Sequence, residues 1–383
     1  MSTTTREAVL DALRNIQDPD LFKDIVTLGF VRDVQIEGGK VKVNINLTTP
    51  ACPVKEQMKG QAEQLLRKLP GVKDVQVDMT AEVRGQQGPP RQLATDIKHI
   101  VAVSSGKGGV GKSTVTVNLA VALRKTGARV GILDCDVYGP DIPMMMGLVG
   151  EPETAGRKLI PKERHGVKTM SIGYLLADDK PVIWRGPMVH KLIEQFLGDV
   201  EWGALDYLLV DMPPGTGDAQ LSLAQLVPLS GGVLVTTPQA VSAYDVTKAI
   251  GMFRQVNVEI LGIIENMAGY VVAGTVAGAR AGTQVAIETG AGVERVSIDA
   301  NGRFELVVPV FGAGGAERLA KKHGFPVLGR VPLNPVVRAG GDAGDPVTVT
   351  APDSPIAREF AAIAGRVAQK LAIAEHRVLP VLQ

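Results

Sequence analysis

Val101-Ala-Val-Ser-Ser-Gly-Lys-Gly-Gly-Val-Gly-Lys-Ser-Thr114 reads as an apolar strand that ends in a glycine-rich loop and runs directly into a helix-forming segment. Gly106 and Gly111-Lys112-Ser113 satisfy the spacing G-x-x-x-x-G-K-[ST]. In such a loop Gly106, Gly108, Gly109, Val110 and Gly111 can turn successive backbone N–H groups inward around an anion. The positive end of the following helix adds to the attraction. Lys112 then reaches the outer phosphates as a point charge, the Ser113 hydroxyl suits magnesium, and Thr114 completes the expected nucleotide-binding set. The expected cofactors are therefore ATP and magnesium.

Outward from this loop, apolar runs alternate with helical segments from Ile97 onward, which predicts an α/β fold with a doubly wound, mainly parallel sheet. The runs are His99 to Ser104, Arg129 to Leu133, Val167 to Ile172, Leu205 to Val210, Gly232 to Thr236, Ile260 to Ile264 and Val327 to Val331. Ligands of such sheets bind beyond the carboxyl ends of the strands, and acids fall there. Asp134 and Asp136 follow the second run, Asp211 closes the fourth and Asn266 follows the sixth. Asp211 fits the second magnesium-organising position, and Asp211-Met-Pro-Pro-Gly-Thr-Gly-Asp218 has the composition of a nucleotide-sensing switch. Asp136 is placed either to face the phosphates or to cap the next turn. Cys135 between the two acids reads as packed.

The first part of the chain has a different pattern. Thr5 to Ile16 reads as an amphipathic helix, Phe30 to Ile36 and Val41 to Leu47 as a hairpin about Glu37-Gly38-Gly39-Lys40, Val54 to Leu69 as a helix and Val72 to Met79 as a strand. The expected division is a small α+β domain at 1–83, a linker at 84–96 centred on Arg84-Gly-Gln-Gln-Gly-Pro-Pro-Arg91, and an ATPase domain at 97–383. Between hairpin and helix, Cys52 lies in Thr48-Thr49-Pro50-Ala51-Cys52-Pro53. A cysteine at a strand-to-helix junction is near unpaired N–H groups that favour its thiolate, so it is either a reactive or ligating thiol or a small buried hydrophobe.

Composition narrows the partners. Net charge is +1, which offers no electrostatic footprint for nucleic acid or an anionic membrane. No apolar run approaches the roughly 20 residues needed to span a bilayer, and no basic, apolar leader is visible. Two cysteines, Cys52 and Cys135, form no disulfide framework, so the cytoplasm is the expected compartment. The five histidines show no metal-ligand spacing, Met144-Met145-Met146 suits core packing or an adaptable surface, and Ile356 to Ala372 reads as an amphipathic helix.

Lys107 gives the loop the form K-G-G-V-G-K-[ST]. This resembles the deviant phosphate loop of the dimerising ATPases that include the nitrogenase iron protein, the septum-site protein MinD and the ParA partition proteins. The resemblance implies a homodimer in which Lys107 reaches the nucleotide of the facing subunit. It also assigns Asp136 to the attacking water and Asn266, in Glu265-Asn266-Met267, to the adenine base. Asp134-Cys-Asp-Val-Tyr-Gly-Pro140, Trp184-Arg-Gly-Pro-Met188, Trp202-Gly-Ala-Leu-Asp-Tyr207, Asp211-Met-Pro-Pro-Gly-Thr-Gly-Asp218 and Thr236-Thr-Pro-Gln239 together resemble the Mrp/ApbC iron-sulfur cluster carriers. The segment from Asp18 through Asp24-Ile-Val-Thr-Leu-Gly29 to Cys52-Pro53 is similar to iron-sulfur assembly domains. The resemblance implies slow, switch-type ATP hydrolysis and transfer of clusters to apoprotein clients, with Cys52 as a possible cluster ligand.

After Glu265-Asn266-Met267, where such carriers commonly have Cys-x-x-Cys, this chain instead has a cysteine-free insertion at about 268–309 before Phe311-Gly-Ala-Gly-Gly-Ala316. Gln284 to Ile287 and Arg295 to Ile298 read as a hairpin within it. Clusters usually take four ligands, mostly thiolates, so the usual carrier site is missing. An ATP-driven, dimerising interaction switch without a cluster is the alternative expectation.

Overall fold

The computed structural model describes residues 4–19, 23–47, 49–50, 54–81, 96–175, 186–215, 218–290 and 292–378. Cys52, Trp184 and all but Asp96 of the 84–96 linker lie outside the described residues.

In the small domain, α1 (Arg6–Leu13) starts at Thr5, whose hydroxyl accepts the Ala8 N–H at 3.2 Å. This is the ordinary cap of a helix start. The helix ends at Arg14, earlier than its apolar spacing predicts, although Ile16 stays buried in the same core. Strands β1 (Val31–Glu37) and β2 (Lys40–Leu47) form the hairpin, with Glu37 opposite Lys40. After α2 (Lys55–Arg67), β3 (Asp74–Ala81) returns parallel to β2. Val41, Val43, Ile45 and Leu47 alternate inward along β2 and pack against Met58, Ala62 and Leu66 of α2, so one sheet face and one helix stripe make the core.

The large domain opens with β4 (Ile97–Ser105), α3 (Lys112–Lys125), β5 (Val130–Asp134) and the short α4 (Ile142–Met145). A two-residue pair, β6 (Thr154–Ala155) and β7 (Lys158–Leu159), precedes β8 (Lys162–Arg164), β9 (Val167–Ser171) and α5 (Gly186–Gly198). Then come β10 (Leu205–Asp211), α6 (Asp218–Leu226), β11 (Gly231–Thr236), α7 (Ala240–Gln255) and β12 (Ile260–Thr275). The chain continues with β13 (Gln284–Thr289), β14 (Gly292–Ser297), β15 (Arg303–Val308), α8 (Gly315–His323), β16 (Val327–Leu333), α9 (Pro335–Ala343), α10 (Val347–Thr350) and α11 (Pro355–Val378).

The main sheet runs β15-β12-β11-β4-β10-β5-β9-β8, with β16 also on β12. Only the β8 and β15 pairings are antiparallel. Strands β5, β10 and β11 are buried throughout, because helices cover both sheet faces. On one face Val115, Leu119 and Leu123 of α3 meet Phe360, Ile363 and Val367 of α11. The other core holds Ile193 and Phe196 of α5, Leu223 of α6, and Val246 and Phe253 of α7.

The sequence spacing ended the sixth strand at Ile264, but β12 runs to Thr275. Asn266 therefore lies within the strand rather than after it. Its first half pairs in parallel with β11 and β16, and its second half pairs antiparallel with β15 from Tyr270–Val308 to Thr275–Arg303. A register shift between Asn266 and Tyr270, with Met267 and Gly269 at positive φ, bends the strand where it leaves the sheet. The insertion is thus an arm: the β12–β15 ribbon carries the β13–β14 hairpin, whose strands turn between Thr289 and Gly292.

The two domains touch where β2 ends. Thr49 Oγ1 and the Tyr207 hydroxyl are 3.1 Å apart and buried. Tyr207 lies near the amino end of β10, in register with His99 of β4, on whose ring it stacks at 5.7 Å. Burial, opposed by the Thr49 hydrogen bond, pushes the Tyr207 phenol up to about 12. The cysteine-bearing loop of the small domain thus begins at the opposite end of β10 from Asp211.

Candidate nucleotide site

The glycine loop fits between α7 and β12 at two points where a side chain would collide. A Cβ on Gly106 would lie 2.2 Å from the Asp245 backbone carbon of α7. Gly111 has φ +79 and would place a Cβ 2.3 Å from Asn266 Nδ2. Asn266 Nδ2 donates to the Val110 carbonyl at 2.8 Å, so this buried amide braces the loop from below. Asn266 was expected beside the adenine base; its described contact is with the loop backbone.

Beyond the loop lies a cleft of about 240 Å³ lined by Lys107 to Thr114, Asp136, Asp141, Met145, Pro214 and Met267. At its base, fully buried Asp211 ends β10 and gathers the start of α3 around its two oxygens. Oδ2 accepts from Lys112 Nζ at 2.6 Å and from Ser113 Oγ at 2.7 Å; Oδ1 accepts from Thr116 Oγ at 2.7 Å. Lys112 Nζ also lies 3.6 Å from Asp136 Oδ2. Burial opposes the Lys112 charge, but the Asp211, Asp136 and Asp134 carboxylates outweigh it and hold the ammonium above the ordinary lysine range.

Asp136 caps the next turn with one oxygen and turns the other toward Lys112. Its Oδ1 accepts the Gly139 N–H at 3.3 Å as a turn cap, while its Oδ2 faces Lys112 and the cleft. Burial raises its pKa, partly offset by Lys112. Asp134 is more deeply buried, and burial together with Asp211 pushes its carboxyl well above the carboxylate range. Cys135 is buried and its thiol is pushed up by burial and by Asp134, so it is a packed thiol rather than a thiolate. Lys107 Nζ donates to Gln239 Oε1 at 3.4 Å, at the start of α7.

Sequence spacing brought Lys112, Ser113, Asp136 and Asp211 to attention, and the fold gathers all four. It passed over Thr116, although Thr116 stands four residues after Lys112 and so on the same helix face. Asp141 also lines the cleft and carried no signal of its own, and Met145, read as core packing or an adaptable surface, lines it too. His99 stacks on Tyr207, His323 on Phe325, and His165 and His190 face Asp345 and Glu194. Among the described residues no group of three or more His, Cys, Asp or Glu side chains is placed to hold a metal ion. Among the same residues no helix is long and apolar enough to cross a membrane.

Residues 96–281 and 282–368 match the family of NUBPL iron-transfer P-loop NTPases, and residues 6–79 match the family of iron-sulfur cluster assembly proteins. The iron-sulfur cluster carrier protein of Synechocystis is 47% identical over 377 residues, covering 97% of this chain and 99% of its own. The chain belongs to the iron-sulfur cluster carrier family of P-loop NTPases. The carrier protein of Deinococcus radiodurans is 42% identical, over 98% of each chain. A nucleotide-binding protein from Archaeoglobus fulgidus, solved with ADP, is 39% identical with a TM-score of 0.50, over 65% of this chain and 87% of its own. The arm follows Met267 directly, and the chain has two cysteines, Cys52 and Cys135.

Proposed function

We propose that this protein hydrolyses ATP as a homodimer and carries iron-sulfur clusters to apoprotein clients. The observation that carries the nucleotide chemistry is the Asp211 carboxylate, which gathers the loop lysine, Ser113 and Thr116 at the carboxyl end of the sheet. The Ser113 hydroxyl and an Asp211 oxygen, 2.7 Å apart, are the hard oxygen donors that magnesium prefers, so these residues fit the ion. Magnesium held there would neutralise charge on the phosphates.

Each residue then has one task. Backbone N–H groups of the loop receive the phosphates, with the α3 amino terminus behind them. Lys112 is kept charged by its carboxylate neighbours and donates to the outer phosphates. Asp136, on the cleft wall, orients the attacking water, and Lys107 reaches the nucleotide of the second copy. Asn266 holds the loop and borders the base. Slow hydrolysis suits a switch, because the dimer must persist while a client is engaged.

For the cluster, Cys135 is disfavoured as a ligand because its thiol is buried and held protonated. That leaves Cys52, so the cluster is held through the small domain. The small domain (1–83) and the ATPase domain (97–383), joined by 84–96, accordingly divide the work: one holds cargo, the other times its release. A second reading, an ATP-driven interaction switch that carries no cluster, draws support from the arm that replaces Cys-x-x-Cys. Hydrolysis by the wild type and by Lys112→Ala tests the shared step. Loss of phosphate release in the variant is expected, and an unchanged rate removes the mechanism.

A further inference from the structure

Three strand ends stand in a row beneath the cleft. Asp211 of β10, Asp134 of β5 and Ser171 of β9 are in parallel register, Asp211 beside Asp134 and Asp134 beside Ser171. All three are buried. Ser171 Oγ donates to Asp134 Oδ2 at 2.8 Å and accepts the Gly173 N–H at 3.0 Å, where it caps the 3-10 turn Ile172–Tyr174. The other oxygen of Asp134, Oδ1, accepts the backbone N–H of Asp136 at 3.1 Å.

Asp134 makes no described contact with the cleft lining except through the Asp136 peptide and the field of Lys112 and Asp211. Its side chain therefore holds the Asp136 peptide, together with the backbone bonds from Cys135 N–H to Asp211 and from Val137 N–H to Cys135. Asp211 flanks Asp134 on one side, and the Ser171 hydroxyl and the Asp136 N–H hold its two oxygens. Without the Ser171 hydroxyl, Oδ2 loses its only described donor, and the Asp136 N–H alone holds the carboxyl. The acceptor of the Asp136 N–H is then held from one side only.

We propose that Ser171 is a positioning residue for hydrolysis: acting through Asp134, it fixes the Asp136 peptide and so aims the Asp136 carboxylate at the attacking water. This rests on the reading that Asp136 orients that water. A displacement of a fraction of an ångström at such a group is costly to the chemical step and leaves ground-state binding untouched. Ser171 is thus expected to act on kcat alone, although it does not line the cleft.

The test is a double-mutant cycle on the full chain, with kcat and KM for ATP and the affinity for a fluorescent ADP measured for wild type, Ser171→Ala, Asp136→Ala and the double variant. Ser171→Cys, isosteric but a weak donor, provides a second route should the alanine variant fail to fold. Ser171→Ala is expected to lower kcat about tenfold with KM and ADP affinity unchanged. Ser171→Cys falls between, and in the Asp136→Ala background the serine change has no further effect. If Asp136→Ala itself keeps wild-type kcat, the water-orienting reading fails and the relay with it. If Asp136→Ala is slow but Ser171→Ala adds its full effect on top, or weakens ADP and raises KM in proportion, the relay alone is overturned.

Discussion

Lys112 Nζ lies 2.6 Å from Asp211 Oδ2 at the bottom of the cleft, and the same oxygen takes the Ser113 hydroxyl at 2.7 Å. One buried carboxylate thus fixes both the lysine proposed to meet the phosphates and the hydroxyl suited to magnesium. Replacing it with the isosteric amide removes the charge but keeps the shape. Asp211→Asn is expected to lower kcat by about 100-fold or more and to raise the magnesium concentration needed for half-maximal rate. Steady-state hydrolysis across a magnesium titration measures both.

Thr116 bonds the other oxygen of Asp211 and lies outside the cleft lining. Thr116→Val keeps the branched shape and leaves Oδ1 without this donor. A loss of about 1–3 kcal/mol in unfolding free energy is expected, with ADP affinity falling less than in Lys112→Ala. Denaturant melts and fluorescent ADP titrations supply the two numbers.

Gly106 has no room for even a methyl group, since a Cβ would lie 2.2 Å from the Asp245 backbone. Neither partner is the end of a flexible side chain, so the loop and α7 must separate. Gly106→Ala should cost about 3 kcal/mol of stability and abolish nucleotide binding together. A variant that melts as the wild type does and still binds ADP would show that the loop and α7 do not pack as described.

A pH dependence follows from Asp206 near the start of β10. Burial works against its charge, but hydrogen bonds from the Arg129 guanidinium and backbone N–H and from Lys98 outweigh burial and hold its carboxyl below the ordinary value. A depressed folded pKa means that the contribution is complete above the unfolded value of about 3.9 and disappears as pH falls through the lower folded one. Asp206→Asn should therefore be less stable than wild type by a constant margin, about 1 kcal/mol, from pH 5 to 8. The margin should shrink below about pH 4. Urea melts over that range check the sign as well as the size.

The arm is separable on geometric grounds, because the cleft lining stops at Met267 and the β12–β15 pairing starts at Tyr270. Replacing residues 273–307 with a short Gly-Ser loop should leave ADP affinity within about twofold of wild type. Under the interaction-switch reading the same deletion abolishes capture of a partner. Retained capture counts against that reading.

Much of this architecture is legible in the residues themselves. Parallel strands such as Leu205 to Val210 are apolar on both faces and need no partner to be recognised, and Lys112 and Asp211 announce themselves by spacing and by position at a strand end. The hairpin of the insertion shows through the turn Thr289-Gly-Ala-Gly292. What escapes is long-range or disguised. The sixth apolar run stops at Ile264, yet the strand bends near Gly269 and continues to Thr275. Thr49 meets Tyr207 across 158 residues, and no local pattern encodes that contact. Ser171 acquires meaning only when β9 lies beside β5, and Asn266 shows its bond to Val110 only when the loop is folded over it.

The central claim, that the protein carries a cluster through the small domain, is tested most directly by anaerobic reconstitution with iron and sulfide. Iron content and visible absorbance are read for the intact protein and for Cys52→Ala. A stoichiometric cluster in the intact protein that is lost in the variant is the predicted result; no cluster in either protein would contradict it and leave an ATP-driven switch.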